Sequence, residues 1–117
     1  IMPAQPFEAA VRQQTGAVVI DLRGEINASA ESARNAAYLE AERSNPSTIV
    51  LNFGAVSYIN STGIALIVGL LARARKAKRR LLVFGLSSHY QEIFQITRLA
   101  DFMAIFQDEA CALAGGA

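Results

Sequence analysis

Between Phe7 and Gln14, Phe7, Ala9 and Val11 alternate with Glu8, Ala10 and Arg12, the period of two expected of an edge strand. Thr15-Gly16 reads as a hairpin turn. The run Ala17 to Arg23 then sets Val18, Ile20 and Leu22 against Asp21 and Arg23, a half-buried strand closed by Gly24. A helix is predicted over about 28–43, capped by Asn27 or Ser29, with Glu31 in its first turn where the helix dipole favours an acid. Ala30, Ala33, Ala37 and Ala41 give it a small-residue inward face, and Asn45-Pro46 ends it.

Thr48 to Phe53 is apolar and rich in β-branched residues, as in a central strand covered on both faces, and 54–60 is expected to be a turn region. From about 61 to 78, Ile64, Ile67, Leu71 and Ala74 recur at helical spacing while Leu66, Val68 and Leu70 widen the apolar face, which makes this the main core helix. Arg80 to Phe84 reads as a buried strand ended by Gly85. Ser88-His89-Tyr90-Gln91 has the capping-box spacing of a helix start, with Ile93, Phe94 and Thr97 turned inward. A short strand near 103–106 and a helix near 108–114 complete the order ββαβαβαβα. This alternation implies an α/β fold with a mixed, mostly parallel sheet, an antiparallel N-terminal edge, and helices mainly on one face.

A chain of 117 residues encloses one core but not two, so a single domain over 1–117 is expected, with 1–6 as an N-terminal arm. The net charge of +1 argues against direct nucleic-acid binding and leaves partners to be recognised locally. The apolar stretch Gly63 to Ala72 is too short to span a bilayer, so no membrane insertion is expected, and Ile1-Met2-Pro3-Ala4 lacks the charged and apolar regions of a secretory signal. The lone Cys111 fits a reducing, cytoplasmic setting and reads as a small buried hydrophobe.

Catalytic signals are weak. His89 is the only histidine and lies at a predicted helix start, as a surface or capping residue. Glu40/Glu42 and Asp108/Glu109 have no metal-ligand frame and read as solvated helix surface, and no phosphate-binding glycine loop occurs. Hence neither catalytic residues, nor a metal, nor a cofactor is expected, and the chain reads as non-enzymatic. The basic residues Arg73, Arg75, Lys76, Lys78, Arg79 and Arg80 read as cations gathered at the negative end of the core helix. Tyr58-Ile59-Asn60-Ser61-Thr62-Gly63 stands out because it places two hydroxyls where a strand meets the start of an apolar helix. Asn60 or Ser61 serves as N-cap and Gly63 permits close packing; a phosphate on a hydroxyl there would meet free helix-start amides and add about 1.5–2 negative charges.

Leu22-Arg23-Gly24-Glu25-Ile26-Asn27 is similar to the L-x-G-E-L-D of the STAS domain, and Ile49 to Phe53 followed by Tyr58 to Ile64 resembles its V-L-D-L and F-M-D-S-[ST]-G-L segments. Within that family the chain looks like the bacterial anti-sigma factor antagonists. The resemblance implies a partner-switching protein in transcription regulation and the stress response. On that resemblance it would bind an anti-sigma serine kinase and thereby free a sigma factor, and it would be phosphorylated at Ser61 and restored by a PP2C-type phosphatase. Asn27, Tyr58, Asn60, Ser61, Thr62 and Gly63 would form the partner-binding surface. Asn60 and Asn27 stand where the family carries acids, which keeps open a non-phosphorylated scaffold role, as in a stressosome-like subunit or the soluble partner of a membrane transport system.

Overall fold

The computed structural model describes residues 5–115, so Ile1 to Ala4 of the expected arm lie outside the described residues. A five-stranded sheet has its strands in chain order, β1 (Glu8–Gln14), β2 (Ala17–Ile26), β3 (Thr48–Ile59), β4 (Arg80–Phe84) and β5 (Ala104–Phe106). β1 and β2 pair antiparallel through a tight hairpin, and the remaining neighbours pair parallel. The helices are α1 (Glu31–Glu42), α2 (Ser61–Lys76), α3 (Ser88–Ile96) and α4 (Glu109–Gly115), with 3-10 turns at Ala28–Ala30 and Leu99–Asp101.

This winding explains the placement of the helices. Each parallel connection steps to the next strand in the same direction, and right-handed crossovers then deliver every connecting helix to the same face. Val18, Ile20, Leu22, Ile49, Leu51, Phe53, Leu81 and Val83 therefore meet Ala37, Tyr38, Ala41, Ile67, Leu71 and Phe94 in one core. α4 follows the last strand and is not a crossover. It covers the opposite face, where Ala112 and Leu113 lie against Val19, Val50, Leu82, Phe84 and Phe106. Coverage on both sides is why β3 and β4 contain the unbroken apolar runs Ile49 to Leu51 and Leu81 to Phe84.

A polar cluster fixes α4. Arg12 on β1 donates to Asp21 on β2 and reaches Glu109 at 2.6 Å, while the Asn52 side-chain amide donates to Asp21 at 2.8 Å. The hydrogen bond from Arg12 holds the Asp21 carboxyl below its ordinary pKa, against a smaller opposing effect of burial. Asp108 caps the helix by accepting from the Cys111 amide at 2.9 Å. Asp108 and Glu109 are thus cap and ion-pair partner rather than merely solvated surface. Glu42 also departs from that expectation, since it is partly buried and pairs with Arg73 at 2.8 Å and with Arg79 at 3.7 Å.

Several boundaries differ from the sequence reading. β2 runs on through Gly24 to Ile26, and β3 continues through the expected turn region to Ile59. The two strands absorb register shifts between Asp21 and Arg23 and between Gly24 and Glu25, so bulges continue the pairing that Gly24 was expected to stop. Gly24 has φ of +86°, and a Cβ there would lie 2.1 Å from the Pro6 carbonyl oxygen, so this residue bends the strand and seats the preceding segment. The first helix begins as a 3-10 turn before α1. The cap of α3 is Ser87, one residue earlier than expected; its side chain accepts from the Tyr90 amide, and Gln91 donates to the Leu86 carbonyl. Thr97 is exposed, with its hydroxyl bonded to the Ile93 carbonyl, because α3 has already ended at Ile96. Cys111 is exposed and Ala112 takes the buried position, since the seven-residue α4 presents only a narrow face to the sheet.

Ile67 is only 2 % exposed at the centre of the α2 stripe. Ile67→Asp puts an unpaired carboxylate there, at a cost comparable to the whole stability of a domain, about 5–15 kcal/mol. Circular dichroism is expected to show no cooperative thermal transition near that of the parent; a preserved transition contradicts this packing.

Candidate functional site

The C-terminal ends of β2 and β3 extend past the end of their pairing with β4, which stops at Asn52–Phe84, and form a two-stranded ribbon that ends at Ile26 and Ile59. Asn60 follows in extended conformation, with φ of −93° and ψ of −177°, and Ser61 is the first residue of α2. The Asn60 side-chain oxygen accepts from the Gly63 amide at 2.8 Å, while its backbone carbonyl accepts from the Ile64 amide at 2.9 Å. Asn60 is therefore the N-cap. The amides of Ser61 and Thr62 have no hydrogen-bond partner among the described residues, and both side chains are exposed. An exposed hydroxyl thus sits at the first turn of a sixteen-residue helix beside two open donors.

The Ile26 carbonyl closes the site. It accepts from the Asn60 amide at 3.2 Å, and a Cβ added to Gly63 would come within 2.1 Å of its oxygen. Because Asn27 directly follows Ile26, this contact brings the loop after β2 alongside the start of α2. Asn27 caps the 3-10 turn, its side-chain oxygen accepting from the Ser29 amide at 3.0 Å and the Ser29 hydroxyl at 2.6 Å. Both asparagine oxygens are thereby committed to local backbone.

Of the expected surface, Asn27, Asn60, Ser61, Thr62 and Gly63 gather at this junction. Tyr58 stands apart. It alternates along β3 with Ile59, which points into the helix-side core, so the Tyr58 ring leaves the ribbon on the other face and is 51 % exposed.

One supporting residue escapes the sequence motif. The buried Tyr90 hydroxyl accepts from the Ile59 amide at 2.8 Å and so anchors the last residue of β3, beyond the end of its β4 partner, to α3. The signal available in the sequence is an aromatic with a polar tip on an inward helical position, which needs a partner when buried.

The site lies on a compact α/β domain in which one strand-to-helix turn is left open while both sheet faces are covered. The chain matches the STAS domain over residues 8–112 and belongs to that family. A Staphylococcus aureus anti-sigma-B factor antagonist is 37 % identical over 57 residues, which span 49 % of this chain and 53 % of the relative. The match thus spans about half the length of this curated relative. Among solved structures, an anti-sigma factor antagonist from Mycobacterium paratuberculosis superposes with a TM-score of 0.78 at 18 % identity, covering 95 % of this chain and 94 % of its own. The Bacillus cell fate determinant SpoIIAA in the phosphorylated form gives 0.66 at 23 % identity, covering 91 % and 96 % respectively. Among the described residues, no helix is long and apolar enough to cross a membrane.

Two glycines on α2 separate close packing from simple helix propensity. Gly63→Ala is expected to lose about 1–3 kcal/mol in urea unfolding because its Cβ collides with the Ile26 carbonyl. Gly69→Ala meets only Arg34 at an ordinary 3.5 Å and should gain about 0.5–1 kcal/mol from helix propensity. Equal effects of the two changes contradict the close approach at Gly63.

Proposed function

We propose that this chain, read as one domain, is a cytoplasmic, non-enzymatic anti-sigma factor antagonist that switches partners through phosphorylation of Ser61. The observation that carries this reading is the exposed Ser61 hydroxyl at the start of α2, next to the unbonded amides of Ser61 and Thr62. Support also comes from the anti-sigma-B factor antagonist relative and from SpoIIAA, a protein of the same fold described in a phosphorylated form.

In this reading the unmodified turn docks on an anti-sigma serine kinase, and the sigma factor held by that kinase is released. The kinase transfers the γ-phosphoryl group of its ATP to the Ser61 oxygen: the new O–P bond forms as the bond to the β-phosphate bridging oxygen breaks, ADP leaves, and the hydroxyl proton passes to a base of the kinase and on to solvent. This chain supplies the acceptor and the kinase supplies the nucleotide and its metal. The added charge of about −1.5 to −2 is stabilised by the helix-start amides but is repelled from a desolvated contact, so the complex separates. A PP2C-type phosphatase hydrolyses the ester and returns the hydroxyl.

Asn60 already holds the Gly63 amide, so a carboxylate is not needed there for capping. Asn60→Asp is expected to preserve stability within about 1 kcal/mol, since both residues are good N-caps. It should speed phosphorylation if an acid beside Ser61 helps position the nucleotide. Equal single-turnover rates for the two proteins dismiss that role for the acid.

The switch itself is tested by mixing the protein with a cognate anti-sigma serine kinase and ATP. Ser61→Ala should fold, bind the kinase in calorimetric titration as the parent does, and take no phosphate by mass spectrometry. Ser61→Glu should fold and lose about 3 kcal/mol or more of binding, as expected for an uncompensated charge in a buried contact. If both variants bind alike and phosphate appears on Thr62 or nowhere, the constitutive scaffold role replaces this one.

A further inference from the structure

Along α2, the exposed positions after Ser61 are Thr62, Ala65, Val68, Ala72, Arg75 and Lys76, a stripe that carries no charge until it ends in two cations. That stripe leads into an open groove of about 350 Å³ between the second half of α2 and the connection from α3 to β5. Val68 and Ala72 form one wall and Leu99 and Phe102 the other. Val68 is 44 % exposed and Phe102 55 %, while Ile96 near the same end is 72 % exposed. Two of the five exposed large hydrophobic side chains among the described residues, Val68 and Phe102, thus line one feature and a third, Ile96, directly precedes its lining residue Thr97, where scattered single exposures would need no explanation.

Arg75 and Arg98 stand on the rim of the groove, with Asp101 beside Arg98. Arg75 lies 5.2 Å over the Phe102 ring and makes no ion pair among the described residues. Arg98 faces it across the groove and shares its Nε with Asp101 at 2.6 Å. Lys76 and Lys78 are exposed just beyond. By contrast Arg73 and Arg79 are occupied by Glu42 and Arg80 donates to the Gly115 carbonyl, so Arg75 is the member of the basic cluster that lines the groove without an ion pair among the described residues.

We infer that this groove docks an acidic amphipathic helix of a partner protein, with apolar side chains between Val68 and Phe102 and carboxylates on Arg75 and Arg98. The apolar stretch from Val68 to Arg75 is about 10 Å long, two helical turns, which suits anchors spaced i, i+3 or i+4, and i+7. A small amphiphile fits less well, because ligand pockets enclose most of their ligand and this trough is open. A second copy of the chain is disfavoured by charge, since a two-fold contact would set each basic rim against its own equivalent. The inference does not depend on Ser61 or on its modification, which lies at the other end of α2.

The test is a two-dimensional amide NMR titration of the unmodified protein with a synthetic helical peptide of about 18 residues bearing leucines at those spacings and flanking glutamates. A second peptide keeps the leucines and replaces glutamate by lysine. The glutamate peptide should shift the amides of Val68, Ala72, Leu99 and Phe102 saturably, and the lysine peptide should bind about tenfold more weakly. Phe102→Ala should weaken the glutamate peptide about tenfold, and Arg75→Glu should reverse the preference between the two. Ser61→Ala should change neither, which separates failure here from failure of the switch. Equal affinity for the two peptides, shifts elsewhere or none, tighter occupation by sodium decanoate, or concentration-dependent shifts of the free protein at these residues would each overturn the inference.

Discussion

The Ile26 carbonyl is where two segments distant in sequence become one surface. It accepts the Asn60 amide, and the bare Cα of Gly63 lets the first turn of α2 press against it. Without that contact, Asn27 and Ser61 would sit on the tips of two independent loops. Three supports bring the carbonyl there: the bulges that carry β2 past Gly24, the parallel pairing of Ile26 with Ile59, and the Tyr90 hydroxyl bonded to the Ile59 amide. The open turn is therefore held by backbone geometry and the Asn60 cap, while the Ser61 and Thr62 side chains stay exposed.

The direction of winding sets the rest. A sheet whose strands follow chain order sends α1, α2 and α3 to one face, which leaves the second face to a single short helix. Seven residues of α4 bury little apolar area, so its position depends more heavily on the Arg12, Asp21 and Glu109 cluster than the other helices depend on any ion pair. The salt bridges are half-exposed and modest singly. Their geometric role is plainer: they tie the N-terminal edge strand, a central strand and the last helix at one point.

Periodicity made the strand and helix order, the antiparallel edge, and the core role of Ile67, Leu71 and Phe94 legible in the sequence. These are regular segments in which local pattern and tertiary burial agree. The extension of β2 and β3 was not legible, because Gly24 and the Gly54 to Tyr58 stretch look like turn chemistry while the structure uses them for bulged pairing beyond the main sheet. Cys111 and Thr97 misled for a related reason, since a residue one step past a helix end or off a narrow face has the composition of the core without its position. At the site, Asn60, Ser61 and Gly63 were readable as a capped helix start. The Ile26 contact was not, because it joins residues more than thirty positions apart through a main-chain atom that no side-chain pattern records.

α2 answers to two demands that oppose each other. Its inward face, with Leu66, Ile67, Leu70, Leu71 and Ala74, is the largest helical contribution to the main core, which requires apolar residues over most of the circumference. Its outward face then has little room for charge, and from Thr62 to Ala72 it carries none. An ordinary surface helix would place lysine or glutamate at Ala65, Val68 and Ala72, where the core makes no claim on the residue. Small and apolar residues at these positions add little to the fold, which is the observation the inferred docking at the groove accounts for. If the switch proposed for Ser61 and the docking inferred for the groove both hold, one helix carries two contacts with different chemistry, one that an added charge would abolish and one that requires charge in the partner.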